Sequence, residues 1–270
     1  MTLRFSICIE MLYPGRSIEE RLERVATAGF SAVEFWDWRD KPLDTVVPLC
    51  AALGLSVTNM SGHRGGSLLD PHDFETYKDE VVASIAAAQK LSCGNLMLLT
   101  NPLGPGGTVL NAYPQIPDRR KRAHCVAALS RLAPLAEEGG MQLLLEPLNT
   151  RIDHPGYWLD NAQLAFQVIR EVGHPRVRLL YDAYHMHVMG RDTLRDISEN
   201  LDAIGYVHAA DFPGRHEPGT GKMNYSSIFR LLESVEPQIT VGFEFSPASS
   251  SDRALHSVRG LIEPFLSTKE

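Results

Sequence analysis

The sequence has 270 residues, of which 44% are hydrophobic, and a formal net charge of -7 at pH 7. The apolar content suits a large buried core and argues against a disordered chain. The acidic balance disfavours a nucleic-acid binder, which needs clustered Lys and Arg to displace counterions. The apolar runs are far shorter than the roughly 20 residues that a membrane span requires.

The first residues run directly into a strand-like segment, 4–9, without the charged region, apolar region and cleavage site of a signal peptide. The four cysteines, Cys8, Cys50, Cys93 and Cys125, show no paired spacing, so neither a zinc finger nor a disulfide framework is expected. We therefore predict a cytoplasmic protein with reduced thiols in its core.

In the first half of the chain, helical stretches end at glycines and are followed by short apolar runs. Ser17 and Glu20 form a capping-box pattern that opens the first helix. Apolar residues three or four apart between Phe74 and Leu91 mark one helical face. Helices are predicted over 17–28, 43–53, 74–91 and 119–138, and strands over 4–9, 32–35, 55–60, 95–99 and 141–146.

The second half repeats the pattern, which gives eight strand–helix units in total. Helices are predicted over 160–172, 192–201, 224–235 and 255–265, and strands over 177–182, 204–208 and 239–244. Near-continuous apolar strands that alternate with helices indicate a parallel sheet with the helices outside. We predict an α/β protein, a single (β/α)8 TIM barrel, with 1–270 as one domain.

An open, doubly wound sheet is the alternative architecture. Such a sheet usually carries a glycine-rich phosphate loop after its first strand, and the segment 11–16, Met-Leu-Tyr-Pro-Gly-Arg, is not one. In a barrel, the long irregular segments 100–117, 147–159 and 211–223 would lie at the C-terminal face, where the sites of TIM-barrel enzymes are found.

Four consecutive strands end on a polar residue, namely Glu146, Asp182, His208 and Glu244. Neighbouring strands lie about 4.8 Å apart, so these side chains can converge at the barrel mouth. Carboxylates at such close range repel one another unless a cation lies between them. The four residues therefore predict one divalent metal ion, with Mn²⁺, Mg²⁺ or Co²⁺ favoured over Zn²⁺. A solvated strand end or a helix cap is the plainer interpretation of any one of them.

Residues near the predicted ligands are candidates for substrate binding. His185 follows Asp182 by three residues, and Arg215 and Glu217 lie in the segment after His208. A guanidinium can hold a substrate carboxylate or hydroxyl. His63, after the third predicted strand, would reach the substrate from the far wall. Surface residues in loops and turns are the alternative interpretation.

Several segments closely resemble hydroxypyruvate isomerase and its relatives in the xylose isomerase-like barrel superfamily. They are Leu-Glu-Pro-Leu-Asn at 145–149, Tyr-Asp-Ala-Tyr-His-Met at 181–186, the segment 211–221 and Asn-Tyr at 224–225. Arg-Phe-Ser at 4–6, Met-Leu at 11–12 and Gly-Phe-Ser-Ala-Val-Glu-Phe at 29–35 are also similar to that family. The similarity extends from about residue 3 to residue 250.

This resemblance implies a metal-dependent isomerase that acts through an enediolate on a small hydroxy-oxo acid or sugar, of the hydroxypyruvate or 2-oxo-tetronate type. It implies the same four metal ligands, with Glu146 and Glu244 as the acid/base pair. His185 and Arg215 match substrate-binding positions. Members are often dimers or tetramers, so self-association is also an expectation, with a small sugar or sugar acid as the partner molecule.

Two positions differ from the pattern of hydroxypyruvate isomerases. Those enzymes usually carry Gln where this chain has His208, and His there is similar to the ketose 3-epimerases. They also tend to have Lys where this chain has Ser246. A ketose 3-epimerase is therefore an alternative function. A lyase, a non-catalytic sugar-binding barrel and a DNA-repair endonuclease are further ones, the last disfavoured by the acidic charge and the single ligand set.

Overall fold

The protein is described by a computed structural model that covers residues 3–235 and 238–266. Eight parallel strands form a closed barrel in the order β1 to β8, so each strand pairs with its neighbours in sequence and β8 pairs with β1. The predicted (β/α)8 barrel is confirmed. Among the described residues, no helix is long and apolar enough to cross a membrane. The single domain over 1–270 stays a prediction.

The strands are short, and the helices that follow them cover the outside of the barrel. The strands are β1 Arg4–Cys8, β2 Ala32–Phe35, β3 Ser56–Ser61, β4 Asn95–Leu98, β5 Gln142–Leu145, β6 Val177–Asp182, β7 Ile204–Ala209 and β8 Thr240–Phe243. The helices are α1 Ile18–Thr27, α2 Leu43–Leu53, α3 Phe74–Lys90, α4 Asp118–Gly139, α5 Ala162–Val172, α6 Ala183–Val188, α7 Thr193–Glu199, α8 Tyr225–Glu233 and α9 Ser251–Ile262.

The helix boundaries follow from local capping interactions. The predicted capping box is present, since the Ser17 side chain accepts from the Glu20 amide and the Glu20 side chain accepts from the Ser17 amide. Helix α5 begins after Asn161, whose side chain accepts from the amides of Gln163 and Leu164. The predicted start at residue 160 was therefore two residues early. Gly54 ends α2 in the left-handed conformation that glycine adopts without a Cβ clash.

The buried apolar side chains form two groups. The larger one lies mainly between the strands and the surrounding helices and includes aromatic contacts such as Phe229 with Phe243. The smaller one contains one residue from each of β4 to β7: Met97, Leu144, Leu180 and Tyr206. The packing of α/β layers holds the strands in register. It thereby fixes where the strand ends lie at the mouth.

Candidate active site

The four predicted strand-end residues meet at the C-terminal mouth of the barrel. Glu146, Asp182, His208 and Glu244 are all buried, and one ligand atom from each lies within 4.8 Å of the others. The Nδ1 atom of His208 lies 3.4 Å from Glu146 Oε1 and 3.7 Å from Glu244 Oε2. It lies 3.9 Å from Asp182 Oδ2. The convergence that strand geometry predicts is therefore present in the structure.

Burial places these charges under electrostatic strain in the metal-free protein. It raises the pKa values of Glu146 and Asp182 above their usual range. Burial alone would also raise the pKa of Glu244, but Arg215 and then His208 outweigh it and hold that pKa low. For His208, burial opposes the charged form, yet Glu34 and Glu244 raise its pKa. A cluster of this kind is relieved when a cation replaces the protons.

The donor set fits a divalent cation. Glu146 Oε1 and His208 Nδ1 are buried and have no hydrogen-bond partner among the described residues. Both atoms belong to the group of four whose ligand atoms converge. Three carboxylates and one imidazole suit Mn²⁺, Mg²⁺ or Co²⁺. The cluster can therefore hold a metal ion, and the four residues that would bind it are those expected from the sequence.

Asp182 has two roles in the local structure. Its Oδ1 atom accepts a hydrogen bond of 2.8 Å from the His185 amide and so caps the short helix α6. Its Oδ2 atom faces the cluster. A side-chain oxygen at the helix N-cap satisfies one of the free amides of the first turn. The capping interaction fixes the carboxylate so that its second oxygen stays directed at the site.

His185 is a fully buried residue on the first turn of α6, with its side chain next to the cluster. Its Nδ1 atom accepts from Asn149, whose side-chain nitrogen lies 2.6 Å away. The proton of the neutral ring therefore belongs on Nε2, which lies 3.8 Å from Asp182 Oδ2 and has no hydrogen-bond partner among the described residues. Burial and then the Arg215 charge lower the pKa of His185 well below its usual value. A neutral Nε2–H donor is thus available at the site.

Arg215 lies over the cluster on the loop that follows β7. Its guanidinium forms an ion pair with Glu244 Oε2 and lies over the Tyr184 ring, 5.6 Å from the centroid. Its backbone φ is +54°, in the left-handed region that non-glycine residues rarely occupy. Such a backbone conformation is held by the surrounding structure and is common at functional sites.

The loop after β7 owes its shape to Asp211, which is fully buried at its base. The carboxylate accepts hydrogen bonds from the amides of Phe212, Gly219 and Met223. A Cβ atom on Gly221 would lie 2.2 Å from the Phe212 carbonyl oxygen, so this position requires glycine. Hydrogen bonds to Asp211 therefore join the two ends of the loop that carries Arg215 and Glu217, so this loop is an ordered part of the mouth.

Glu217 is buried, and its Oε2 atom accepts a hydrogen bond of 2.9 Å from the Ala248 amide. This contact ties the loop after β7 to the segment after β8. The structure therefore gives Glu217 a supporting role in the mouth. Direct contact with the substrate stays a prediction for this residue.

Trp36, which follows β2, donates from its indole nitrogen to Glu244 Oε1 at 2.5 Å. The sequence allows an aromatic residue there either to wall a pocket or simply to pack, but nothing in the spacing links β2 to the end of β8. Trp36 is 40% exposed, so its ring forms part of the rim of the mouth. Asp153, which accepts from Asn149 beside His185, is a polar residue of the mouth that sequence reasoning missed.

His63 lies in the loop that follows β3. It is buried, its Nε2 accepts from the Leu99 amide at 3.0 Å, and its ring stacks on Tyr77 with centroids 4.1 Å apart. Burial lowers the pKa of His63 from 6.5 to about 4. These contacts account for its position in structural terms, and its contact with substrate stays a prediction.

Because the folded-state pKa of His63 is depressed, the unfolded chain binds more protons between pH 6.5 and pH 4. The contribution of neutral His63 to stability is therefore complete above pH 6.5 and is lost as the pH falls through this window. The free energy of unfolding of the wild type should fall between pH 7.5 and pH 5. In His63→Gln, which keeps an acceptor for the Leu99 amide, we expect this fall to be smaller by about 2 kcal/mol. Urea unfolding at the two pH values measures the difference. Equal losses in both proteins would contradict this assignment.

The family model described as the xylose isomerase-like TIM barrel matches residues 22–262. Hydroxypyruvate isomerase of Escherichia coli is 29% identical over 261 residues, which cover 94% of this chain and 97% of that protein. The 2-oxo-tetronate isomerase of Cupriavidus necator is 25% identical over 275 residues, with 97% and 98% covered. The match therefore extends over nearly the whole length of both relatives.

Solved structures share the fold. A crystal structure from Brucella melitensis, described as an AP endonuclease of family 2, superposes with a TM-score of 0.86 at 25% identity and covers 99% of this chain and 100% of that chain. D-Psicose 3-epimerase with D-tagatose, from Clostridium cellulolyticum H10, gives a TM-score of 0.80 at 17% identity, with 98% and 100% covered. The second likeness shows the fold alone.

Proposed function

Since the chain belongs to the xylose isomerase-like TIM barrel family, we propose that it is a metal-dependent isomerase of small hydroxy-oxo acids or sugars. The observation that carries the proposal is the buried convergence of Glu146, Asp182, His208 and Glu244 at the barrel mouth. The names of the relatives matched over nearly their full length supply the substrate class, hydroxypyruvate or a 2-oxo-tetronate.

A divalent cation at the cluster would polarise the substrate carbonyl and stabilise the negative charge that develops on its oxygen. One of the glutamates, Glu146 or Glu244, removes the proton from the carbon next to the carbonyl and so generates an enediolate. The same or the other glutamate returns the proton to the former carbonyl carbon, while the proton of the neighbouring hydroxyl passes to the former carbonyl oxygen. The net reaction moves the carbonyl group by one carbon and needs no further reactant.

The neighbouring side chains are placed to bind substrate oxygens. The Nε2–H of His185 is unpaired among the described residues and faces the cluster. Arg215 is ion-paired with Glu244, and we propose that its guanidinium turns to a substrate oxygen when Glu244 takes part in binding the cation. The low exposure of the side chains at the mouth weakens solvent screening and so strengthens these interactions.

Ketose 3-epimerisation is a second candidate, and His208 favours it. In an epimerase, the proton returns to the opposite face of the carbon that lost it. Two glutamates on either side of a substrate suit this outcome, because one can remove the proton and the other can return it. The two reactions share the enediolate and differ only in where the proton is delivered.

Proton exchange in D₂O tests the proposal and separates the candidates. We would incubate the Mn²⁺-loaded protein with hydroxypyruvate, 2-oxo-tetronates and a panel of ketoses, and follow deuterium incorporation by NMR. We expect incorporation next to a carbonyl that stops with EDTA and returns with added Mn²⁺.

The labelled product then names the reaction. An aldose–ketose pair would identify an isomerase, and a deuterated epimer would identify an epimerase. Carbon fragments would identify a lyase and overturn the proposal. Bound metal without exchange on any substrate would also overturn it and would favour a sugar-binding barrel.

A further inference from the structure

The barrel interior below the candidate metal site is polar on one side. Ser6 of β1, Glu34 of β2 and Thr58 of β3 are buried there, and Tyr206 of β7 reaches them from across the barrel. Ser6 Oγ lies 2.6 Å from Thr58 Oγ1, which in turn lies 3.0 Å from the Tyr206 hydroxyl. The Tyr206 hydroxyl donates to Glu34 Oε2. A charged side chain so deep in a barrel is costly unless its partners compensate it.

Glu34 is in contact with one of the predicted metal ligands. Its Oε1 atom lies 3.0 Å from His208 Nε2, and both side chains are only 2–3% exposed. Neither atom has a regular hydrogen bond among the described residues. The contact between the two groups is therefore what compensates their burial. Nδ1, the other nitrogen of the ring, is the atom that faces the three carboxylates of the cluster.

The fold provides space for the Glu34 carboxylate at this point. Gly242 of β8 pairs with His208 of β7 in the barrel register. A Cβ atom on Gly242 would lie 2.5 Å from Glu34 Oε1 and 2.7 Å from Glu34 Oε2. The φ of Gly242 is not positive, so glycine is needed here for space and not for its backbone freedom. Any larger residue would displace the carboxylate from His208.

We propose that Glu34 is a positioning residue that accepts the Nε2–H of His208 and so presents the Nδ1 lone pair to the bound cation. A neutral imidazole carries one proton, and the partner of one nitrogen decides which nitrogen is free to bind a metal. If the proton were on Nδ1, His208 could not bind the cation through the nitrogen that faces the three carboxylates. The Tyr206 hydroxyl fixes the second oxygen of Glu34, and Gly242 leaves room for the first. This inference rests on the proposed function, because it concerns the metal site of that function.

The Mn²⁺ affinity of the whole protein, measured by competition with a chelating dye, tests the proposal without an activity assay. We expect Glu34→Ala to bind Mn²⁺ roughly 10–100-fold more weakly, the range found for lost outer-shell partners. Glu34→Gln keeps an acceptor oxygen and should lose less. Tyr206→Phe, which frees one oxygen of Glu34, should also weaken binding by a smaller factor.

Tyr181→Phe is the matched control. Tyr181 of β6 also donates from a buried hydroxyl to a buried carboxylate, Asp196, at 3.0 Å. Asp196 is paired with Arg191 and is not one of the four cluster residues. Tyr181→Phe therefore removes an equivalent hydrogen bond and should keep the wild-type affinity for Mn²⁺.

A second readout reports on the imidazole itself. In the Mg²⁺-loaded protein we expect ¹⁵N NMR to show the His208 proton on Nε2, with the signal assigned by its loss in His208→Gln. This readout remains available if Glu34→Ala does not fold. A proton on Nδ1, or unchanged Mn²⁺ affinity in a folded Glu34→Ala, would overturn the inference. A wild-type protein that binds no Mn²⁺ would overturn the proposed function instead.

Discussion

We expect Glu146→Gln and Glu244→Gln each to lower turnover by at least roughly 10²-fold, the lower end of what a positioned acid or base contributes. Gln keeps the size of the side chain and removes its ability to carry a proton. Both glutamates are buried in the cluster at the barrel mouth, where a substrate bound to the cation would contact them. Asp196→Asn is the control: it changes a buried carboxylate that is paired with Arg191, outside the four-residue cluster.

The measurement has to separate loss of the base from loss of the metal. Each variant would be assayed at saturating Mn²⁺, with the bound ion determined in the same sample by EPR. A variant that binds Mn²⁺ and has lost turnover assigns the effect to proton transfer. Near-normal turnover in either variant would show that the scheme with two glutamates is wrong.

Isotope exchange in the same variants tells the two glutamates apart. A variant that lacks the base should neither form product nor exchange the substrate proton with D₂O. A variant that lacks only the residue that returns the proton should still exchange the substrate proton while product formation fails. Comparing exchange and product formation in the two variants therefore identifies which glutamate is the base. The positions of the residues on the strands do not distinguish them.

The sequence carries a clear signal for the four cluster residues. Each follows a short apolar run that is typical of a buried strand, and each is the first polar side chain at the end of that run. Parallel strands of a closed barrel all end at the same mouth, so local pattern and barrel closure together predict the convergence. The roles of the individual residues in catalysis stay predictions.

Glu34 could not be identified in the same way. Its contact with His208 joins β2 to β7 across the barrel, and no local pattern encodes such a pairing. The available signal was a charged residue in the middle of the four-residue strand Ala32–Phe35, where every position is buried. A buried charge needs a partner, but only the three-dimensional structure shows that the partner is His208, one of the four predicted ligands.

The short helix α6 was missed because the strand and helix share a residue. Asp182 ends β6 and at the same time caps α6. The pattern of residues 183–188 is too short to show a helical period. The sequence interpretation set a helix cap against a metal ligand as alternatives for Asp182. In the structure one oxygen caps and the other faces the cluster, so the two roles are compatible.

A substitution at Asp182 can therefore remove the predicted metal ligand and keep the helix cap. We expect Mn²⁺ to stabilise the wild type but not Asp182→Asn. Asn is as good an N-cap as Asp, so α6 should persist, while an amide is a much poorer ligand than a carboxylate. Mn²⁺ at about 1,000 times its dissociation constant would raise the free energy of unfolding by about 4 kcal/mol. At roughly 2–4 °C per kcal/mol, the wild-type Tm should rise by about 10 °C.

Thermal unfolding with EDTA and with Mn²⁺ measures the shift in both proteins. Asp182→Ala serves as the comparison that loses both roles, and its metal-free form should be less stable than Asp182→Asn by about 1 kcal/mol, the typical value of an N-cap. Asp196→Asn should keep the full metal-dependent shift. A full shift in Asp182→Asn would place the cation elsewhere in the protein.

The metal-free variants add a test of why the cluster exists. Burial raises the pKa of Asp182 because its charge is desolvated and close to other carboxylates. Because the folded-state pKa of Asp182 is raised to about 6, its ionised carboxylate destabilises the metal-free fold at neutral pH. In EDTA, Asp182→Asn should therefore be at least as stable as the wild type, and in Mn²⁺ the order should reverse. A cluster that served only to stabilise the barrel would show the opposite order in EDTA, because its carboxylate would then contribute to folding without a metal.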